Sequence, residues 1–309
     1  MKKKISWKTF LIALGVYGII NTFDYKQFIE LKKVYDTVNS NTTASSSDLK
    51  LIELVRKNLI KNISESDVFK RTGRIYILDS LKSINIKVVD TITIVGQKDA
   101  LGCYFDLNDF KSNWRNVFFK NLNSNNNFIL LAKKLLKTPE DTTVIAHEIF
   151  HYFDKMLGND SLAYSEMKKL DSIFDQNIDD TNYVYKKMSL IDPNIIQDTG
   201  QDKKHPISSI EKSKALDRIH TLNTSFYPIY IKEKRYITSP REIFSRYLTA
   251  KNDMISKGIL KSLNQKMMIK DIQKYIISQT DYSTKFDTLE LFYYLNLDKL
   301  DELDKIFLK

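Results

Sequence analysis

Apolar residues recur at two different periods along the chain, and each period predicts a kind of element. Over residues 49–62 they follow the spacing of one helical face. Runs rich in β-branched and aromatic residues follow and predict strands at 74–78, 84–89, 91–95, 103–107 and 128–131. A helix is predicted at 138–157, because Thr138 and Pro139 are typical of a helix start and Gly158 is typical of a stop. Beyond Ser161 the pattern is mostly helical.

These elements predict an α+β fold in which a mixed sheet precedes a central helix and a mainly helical part follows. The segment 37–48 is rich in Ser, Thr and Asn, which is typical of a linker. We therefore expect four parts. They are a hydrophobic N-terminal helix in 1–36, the linker 37–48, an α+β domain over 49–250 and a C-terminal helical part over 251–309.

The N-terminal sequence has the form of a signal peptide or a short membrane anchor. Three lysines precede an unbroken apolar run over residues 10–20. No small-x-small cleavage site follows the run, which favours an uncleaved anchor over a cleaved signal. The alternative is a helix that packs on a partner or on the protein's own domain. We expect residues 5–23 to contact a membrane or a larger assembly, and the protein to act outside the cytoplasm, secreted or membrane-anchored.

Composition and charge narrow the classes of function. The 309 residues carry a net charge of +10, but only eight of the 48 basic residues are Arg, which binds phosphates and bases with two parallel hydrogen bonds. Nucleic acid is therefore not an expected partner. The single cysteine, Cys103, excludes an internal disulfide and a thiolate-bound zinc or iron–sulfur centre. Any metal must bind to histidines and carboxylates.

The motif that carries chemistry is His147-Glu-Ile-Phe-His151, inside the predicted 138–157 helix. Two histidines four residues apart lie on one helical face and can bind the same metal ion. Glu148 lies beside the position of a zinc-bound water, where its carboxylate can accept a proton from that water. The motif predicts one zinc ion per chain, with His147 and His151 as ligands and Glu148 as the general base of a hydrolase.

A catalytic zinc site needs a third protein ligand. Glu242 is the best candidate, and His205 and His220 are alternatives. Glu242 has a second interpretation, because Ser239-x-x-Glu242 is also the pattern of a capping box at a helix start. A capping Glu would bond to the backbone of its own helix instead of a metal.

The sequence His-Glu-x-x-His-x-x-Asp at 147–154, followed downstream by a Tyr and a Glu-x-Phe helix, resembles the gluzincin peptidases of the anthrax lethal factor and clostridial Pro-Pro endopeptidase type. The resemblance covers about residues 127–157 and 234–250. It implies a zincin-like metallopeptidase domain that hydrolyses peptides or proteins, with Glu242 as the third zinc ligand. It also implies that Tyr236 donates to the oxyanion and that Asp154 supports the zinc ligands without binding the metal itself.

The chain departs from those families at three points. Arg246 replaces an acidic residue one turn after the ligand Glu, and the spacing from Tyr236 to Glu242 is one residue shorter. The segment 158–233 is also longer than the connection that those families have.

Two further expectations concern substrate and function. Zincins pair an extended substrate with the edge strand of the sheet, and strand 103–107 is the candidate here, with Tyr104 and Phe105 as cleft residues. An ordinary sheet strand is the alternative. The rival function is a structural or assembly component, associated with a virion or a surface, that has a zincin fold and little or no turnover.

Overall fold

The computed structural model describes an α+β protein, as the sequence predicts. It describes residues 22–39, 44–66, 75–94, 97–110, 118, 127–137, 141–158, 173–175, 183, 186–187, 190–191, 239–279 and 282–307. These residues form eight α-helices, a mixed three-stranded sheet and a two-stranded sheet. The chain divides into two compact units, Met1–Ala44 with Asn85–Lys134 (the first unit) and Ser45–Ile84 with Leu135–Lys309 (the second unit).

All five described strands lie in the first unit. Its elements are α1 (Thr22–Val38), β1 (Asn85–Val89), β2 (Ile92–Ile94), β3 (Gln97–Ala100), β4 (Gly102–Asp106) and β5 (Asn127–Ala132). The larger sheet has the order β1-β5-β4, with β1 parallel and β4 antiparallel to β5. Strand β4 is therefore an edge of the sheet formed by the described residues. The four strands predicted between residues 84 and 131 are confirmed.

The core of the first unit lies between α1 and the strands. Its buried members are apolar: Leu31, Val34, Val89, Ile92, Phe105, Leu107, Phe128, Leu130 and Ala132. The rings of Phe105 and Phe128 stack with their centroids 5.6 Å apart. Because β5 is the central strand, it is buried from Phe128 to Ala132 and reads as a continuous apolar run.

The second unit is helical in its described residues. Its helices are α2 (Ser46–Ser64), α3 (Ile75–Ser83), α4 (Asp141–Gly158), α5 (Pro240–Ser256), α6 (Ile269–Ser278), α7 (Tyr282–Tyr294) and α8 (Leu300–Phe307). Helix α4 packs against α5, α2 and α3, and α5 also packs against α7. The helix predicted at 138–157 is thus central to this unit.

The prediction of a strand at 74–78 is wrong, because residues 75–83 form helix α3. Ile77, Leu81 and Ile84 are buried, whereas Tyr76 and Asp79 are exposed. Buried positions separated by four and then three residues follow the helical period, so this segment buries one side as a helix. The high content of β-branched and aromatic residues at its start indicated a strand only locally.

Several predicted segments lie wholly or mostly outside the described residues. They include the apolar run at 10–20, the helix start at 138–140 and most of the segment 158–233. Within the described residues, α1 and α2 both extend into the predicted linker 37–48, and the predicted domain 49–250 contributes to both units. None of the helices in the described part of the chain combines the length and the apolar character that a membrane span requires.

Candidate metal centre

Helix α4 places His147 and His151 side by side, one turn apart. Their side chains are only 18% and 16% exposed, and their Nε2 atoms lie 3.0 Å apart. The two rings meet edge to face with centroids 4.5 Å apart. Ile145 and Ile149, on the opposite side of α4, are buried as well, so the helix is packed on both sides. The Nε2 atoms of both histidines therefore face the same point.

Helix α5 brings Glu242 to that place. The carboxylate oxygen Oε1 of Glu242 lies 3.3 Å from His147 Nε2, and Oε2 lies 3.3 Å from His151 Nε2. At the other end of the same residue, the backbone N–H of Glu242 donates to Ser239 Oγ at 3.4 Å, and Pro240 occupies the first helical position. Ser239 thus caps α5 while the side chain of Glu242 faces the two imidazoles.

Two side-chain contacts join α4 and α5 near the cluster. The rings of Phe153 and Phe244 pack with centroids 6.1 Å apart. Closer to the centre, Ser245 Oγ forms a hydrogen bond of 2.9 Å with His151 Nδ1. A bond at Nδ1 fixes the orientation of an imidazole and leaves its Nε2 free to bind a metal, as outer partners of metal-binding histidines commonly do.

The donor set and its spacing fit zinc. His147, His151 and Glu242 each offer one ligand atom, and these atoms lie within 4.8 Å of one another. A tetrahedral zinc with ligands at about 2.0–2.1 Å keeps its donor atoms about 3.3 Å apart, close to the observed 3.0, 3.3 and 3.3 Å. Two imidazoles and one carboxylate are also a ligand set of catalytic zinc, which leaves a fourth position open.

The charges around Glu242 favour its ionised, metal-binding form. Burial opposes ionisation, but His147, then His151 and Arg246, outweigh it and hold the pKa of Glu242 well below its usual value. Arg246 Nε donates to Glu242 Oε1 at 3.0 Å. The guanidinium reaches further, because its Nη1 donates to Glu290 Oε2 on α7 at 3.2 Å. The carboxylate is thus kept as an anion in a nearly water-free site.

Glu148 and Asp154 are both buried on α4, with exposed fractions of 7% and 4%. Burial raises the pKa of Asp154 to about 6, although Arg241, His151 and Lys155 oppose the rise. Asp154 is therefore a buried carboxyl near a candidate metal ligand, and the supporting role predicted for it stays a prediction. Glu148 occupies the position next to His147 that the predicted general base requires.

A cavity of about 130 Å³ adjoins the cluster. His147 and Glu242 form part of its wall, and Thr143, Val144, Thr249 and Thr288 contribute further side chains. The hydroxyl of Thr249 is buried and has no hydrogen-bond partner among the described residues. The cavity is therefore lined by apolar, hydroxyl and charged side chains, and Thr249 lines it together with the candidate metal ligands.

Two groups of predicted site residues remain. Tyr236, His205 and His220 lie outside the described residues. Tyr104 and Phe105 belong to β4 of the first unit, where the Tyr104 hydroxyl donates to Asn127 Oδ1 and Phe105 is buried.

Sequence reasoning missed Ser245 and Glu290. Ser245 follows Glu242 by three residues and could have been found by searching that helix face for partners of the ligands. Glu290 lies 44 residues beyond Arg246 and carries no local signal.

Comparisons with models of known protein families, with curated proteins and with solved structures give no match for this chain.

Proposed function

We propose that this protein is a zinc-dependent metallopeptidase with a zincin-like catalytic domain. The observation that supports the proposal best is the meeting of His147, His151 and Glu242, in which two nitrogens and a carboxylate lie about one tetrahedral edge apart. A zinc ion held there would act as a Lewis acid that polarises the peptide carbonyl and lowers the pKa of a water.

The proposed mechanism assigns a separate task to each protein group. Glu148 accepts the proton of the attacking water and passes it to the leaving amine, as a general base and then a general acid. Tyr236 donates a hydrogen bond to the oxyanion that develops on the carbonyl. Ser245 holds the imidazole of His151, and Asp154 stabilises the positive charge that gathers on this part of α4.

The cavity beside His147 supports the proposal that the substrate is a peptide. At about 130 Å³ it is close in size to the ~150 Å³ core cavity that holds benzene in a well-studied protein. One small or medium side chain of the substrate would fit it, and the Thr249 hydroxyl would bond to a polar group there. Residues 5–23 would keep the enzyme at a membrane surface outside the cytoplasm.

A digest of a peptide library tests the proposal. The full chain is loaded with zinc, and cleavage is compared before chelation, after chelation and after zinc is restored. We expect cleavage that chelation abolishes and zinc restores. The matched variant Glu148→Gln keeps a side chain of the same shape, and we expect it to bind zinc while its cleavage rate falls by about 10²- to 10⁴-fold.

Two results would contradict the enzymatic proposal. Zinc-loaded wild-type protein that cleaves no peptide would favour the assembly component over the peptidase. A Glu148→Gln variant that cleaves as fast as the wild type would show that Glu148 is not the base.

A further inference from the structure

Arg246 joins two buried carboxylates through separate nitrogens of one guanidinium. Its Nε donates to Glu242 Oε1 at 3.0 Å and its Nη1 donates to Glu290 Oε2 at 3.2 Å. Glu242 and Glu290 are only 3% and 1% exposed. Their helices, α5 and α7, pack against each other. The guanidinium of Arg246 is therefore fixed by charge-assisted hydrogen bonds to two buried carboxylates.

The position of Arg246 makes the two carboxylate oxygens of Glu242 unequal as metal ligands. Each oxygen lies 3.3 Å from one imidazole, Oε1 from His147 Nε2 and Oε2 from His151 Nε2, but it is Oε1 that accepts the hydrogen bond from Arg246 Nε. An oxygen that already shares its electron density with a guanidinium is the weaker donor to a metal ion. The planar guanidinium also resists rotation, because its second bond to Glu290 fixes its plane. Glu242 is thus prepared to offer one oxygen to a metal.

We propose that Arg246 is a positioning residue, anchored by Glu290, that holds Glu242 as a one-oxygen metal ligand. The inference rests on the proposed metal site. A carboxylate without this restraint can turn and bind through both oxygens, which raises the coordination number of the metal. Arg246 therefore keeps open the position that a catalytic zinc needs for water or substrate.

Cobalt(II) is a suitable probe, because its visible absorption weakens as its coordination number rises. The full chain is loaded with Co²⁺, its spectrum is recorded, and its affinity for Zn²⁺ is measured by competition with a chelator. The test variant is the double substitution Arg246→Met/Glu290→Gln, which removes the guanidinium without leaving the Glu290 carboxylate buried and unpaired. We expect weaker visible absorption and zinc affinity lower by about 10- to 100-fold.

Two further variants separate positioning from general packing. Arg246→Lys keeps the charge and can donate to Glu242, so we expect it to restore part of the zinc affinity. The matched control is Lys251→Met/Asp304→Asn, which removes another buried ion pair of α5, with a distance of 2.6 Å. We expect the control to lower the melting temperature and to leave the cobalt spectrum and the zinc affinity unchanged.

The outcomes distinguish this inference from the proposed function. A test variant with the wild-type spectrum and affinity overturns the role of Arg246, and so does an equal change in the control variant. A wild-type chain that binds neither Co²⁺ nor Zn²⁺ overturns the metal site itself.

Discussion

The backbone and the side chain of Glu242 have different roles. Its backbone N–H bonds to Ser239 and completes the start of α5, while its carboxylate faces His147 and His151. The spacing Ser-x-x-Glu is the same for a capping box and for this arrangement, so the sequence alone left both interpretations open. Only the packing of α5 on α4 shows which way the side chain points.

The two roles can be separated by substituting the two residues one at a time. We expect Glu242→Ala to lose zinc, because the two histidines alone lack the third donor of a zinc site. We expect Ser239→Ala to keep zinc and to lower the free energy of unfolding by about 0.5–2 kcal/mol, the usual effect of losing an N-cap. Zinc content and urea denaturation of both variants are the measurements. Full zinc content in Glu242→Ala would move the search for a third ligand to His205 or His220.

The raised pKa of Asp154 predicts how the stability of the protein depends on pH. Its pKa in the folded protein is about 6 and its ordinary value is 3.8, so the folded state holds this proton more tightly than the unfolded chain does. Its contribution to stability is therefore present at low pH and is lost as pH rises through about 6. Asp154→Asn stays neutral and removes that dependence.

We expect the stability of metal-free wild type, relative to Asp154→Asn, to fall by roughly 3 kcal/mol between about pH 4 and pH 7, since each pKa unit is worth about 1.4 kcal/mol. Urea denaturation of both proteins in the presence of a chelator gives the difference at each pH. Curves that run parallel across this range would show that Asp154 ionises as freely in the folded state as in the unfolded one.

At the scale of elements, the sequence predicted what local signals determine. The strands that became β1, β2, β4 and β5 were found from runs rich in β-branched and aromatic residues, and the helix that became α4 was found from its start and stop residues. Helix α3 was missed, because a short apolar run is ambiguous until its buried partners are known. The pairing order of the strands and the contact of Arg246 with Glu290 depend on chain segments far apart, which no local pattern records.

The end of α7 is fixed to an earlier chain segment by a buried cation. Lys187 Nζ donates to Asp175 Oδ2 at 2.6 Å and to the backbone carbonyls of Tyr293 and Leu295 at 2.7 Å. The Tyr183 hydroxyl donates to the same carboxylate oxygen at 2.7 Å. Both charged side chains are almost fully buried, at 4% and 2% exposed. This cluster ties part of the segment 158–233 to the C-terminal helices.

Removing one charge of the Lys187–Asp175 pair should lower the free energy of unfolding more than removing both charges. We expect Lys187→Met to lower the free energy of unfolding by about 3–5 kcal/mol, because it leaves the Asp175 carboxylate buried without its cation. The double variant Lys187→Met/Asp175→Asn should recover part of that loss. Urea denaturation of the single and double variants measures both values. A double variant less stable than Lys187→Met would show that the pair is not the source of the effect.

At the scale of the whole molecule, a bound metal would join helices that the chain separates by almost a hundred residues. His147 and His151 lie on α4 and Glu242 lies on α5, so zinc would cross-link the two helices at the centre of the second unit. A ligand that binds only the folded state stabilises it in proportion to the logarithm of its concentration.

We therefore expect zinc to raise the melting temperature of the metal-free protein, with about 2.7 kcal/mol of added stability when free zinc is 100 times its Kd. Differential scanning calorimetry across a zinc titration measures the shift. The control is His147→Ala, whose melting temperature should not respond to zinc. A wild-type melting temperature independent of zinc would contradict the metal centre.

The alternation of the chain between its two units has a consequence for synthesis on the ribosome. Helices α2 and α3 emerge before the first unit is complete, yet their packing partner α4 begins only at Asp141. Their apolar faces therefore stay uncovered by α4 until about fifty residues of the first unit have been translated. This takes several seconds at the ~5–20 residues per second of translation. A shortened gene that starts at residue 135 would encode every candidate metal ligand but neither of these helices. Its product would lack the helices that cover one side of α4, so a soluble form of the second unit has to retain residues 45–84.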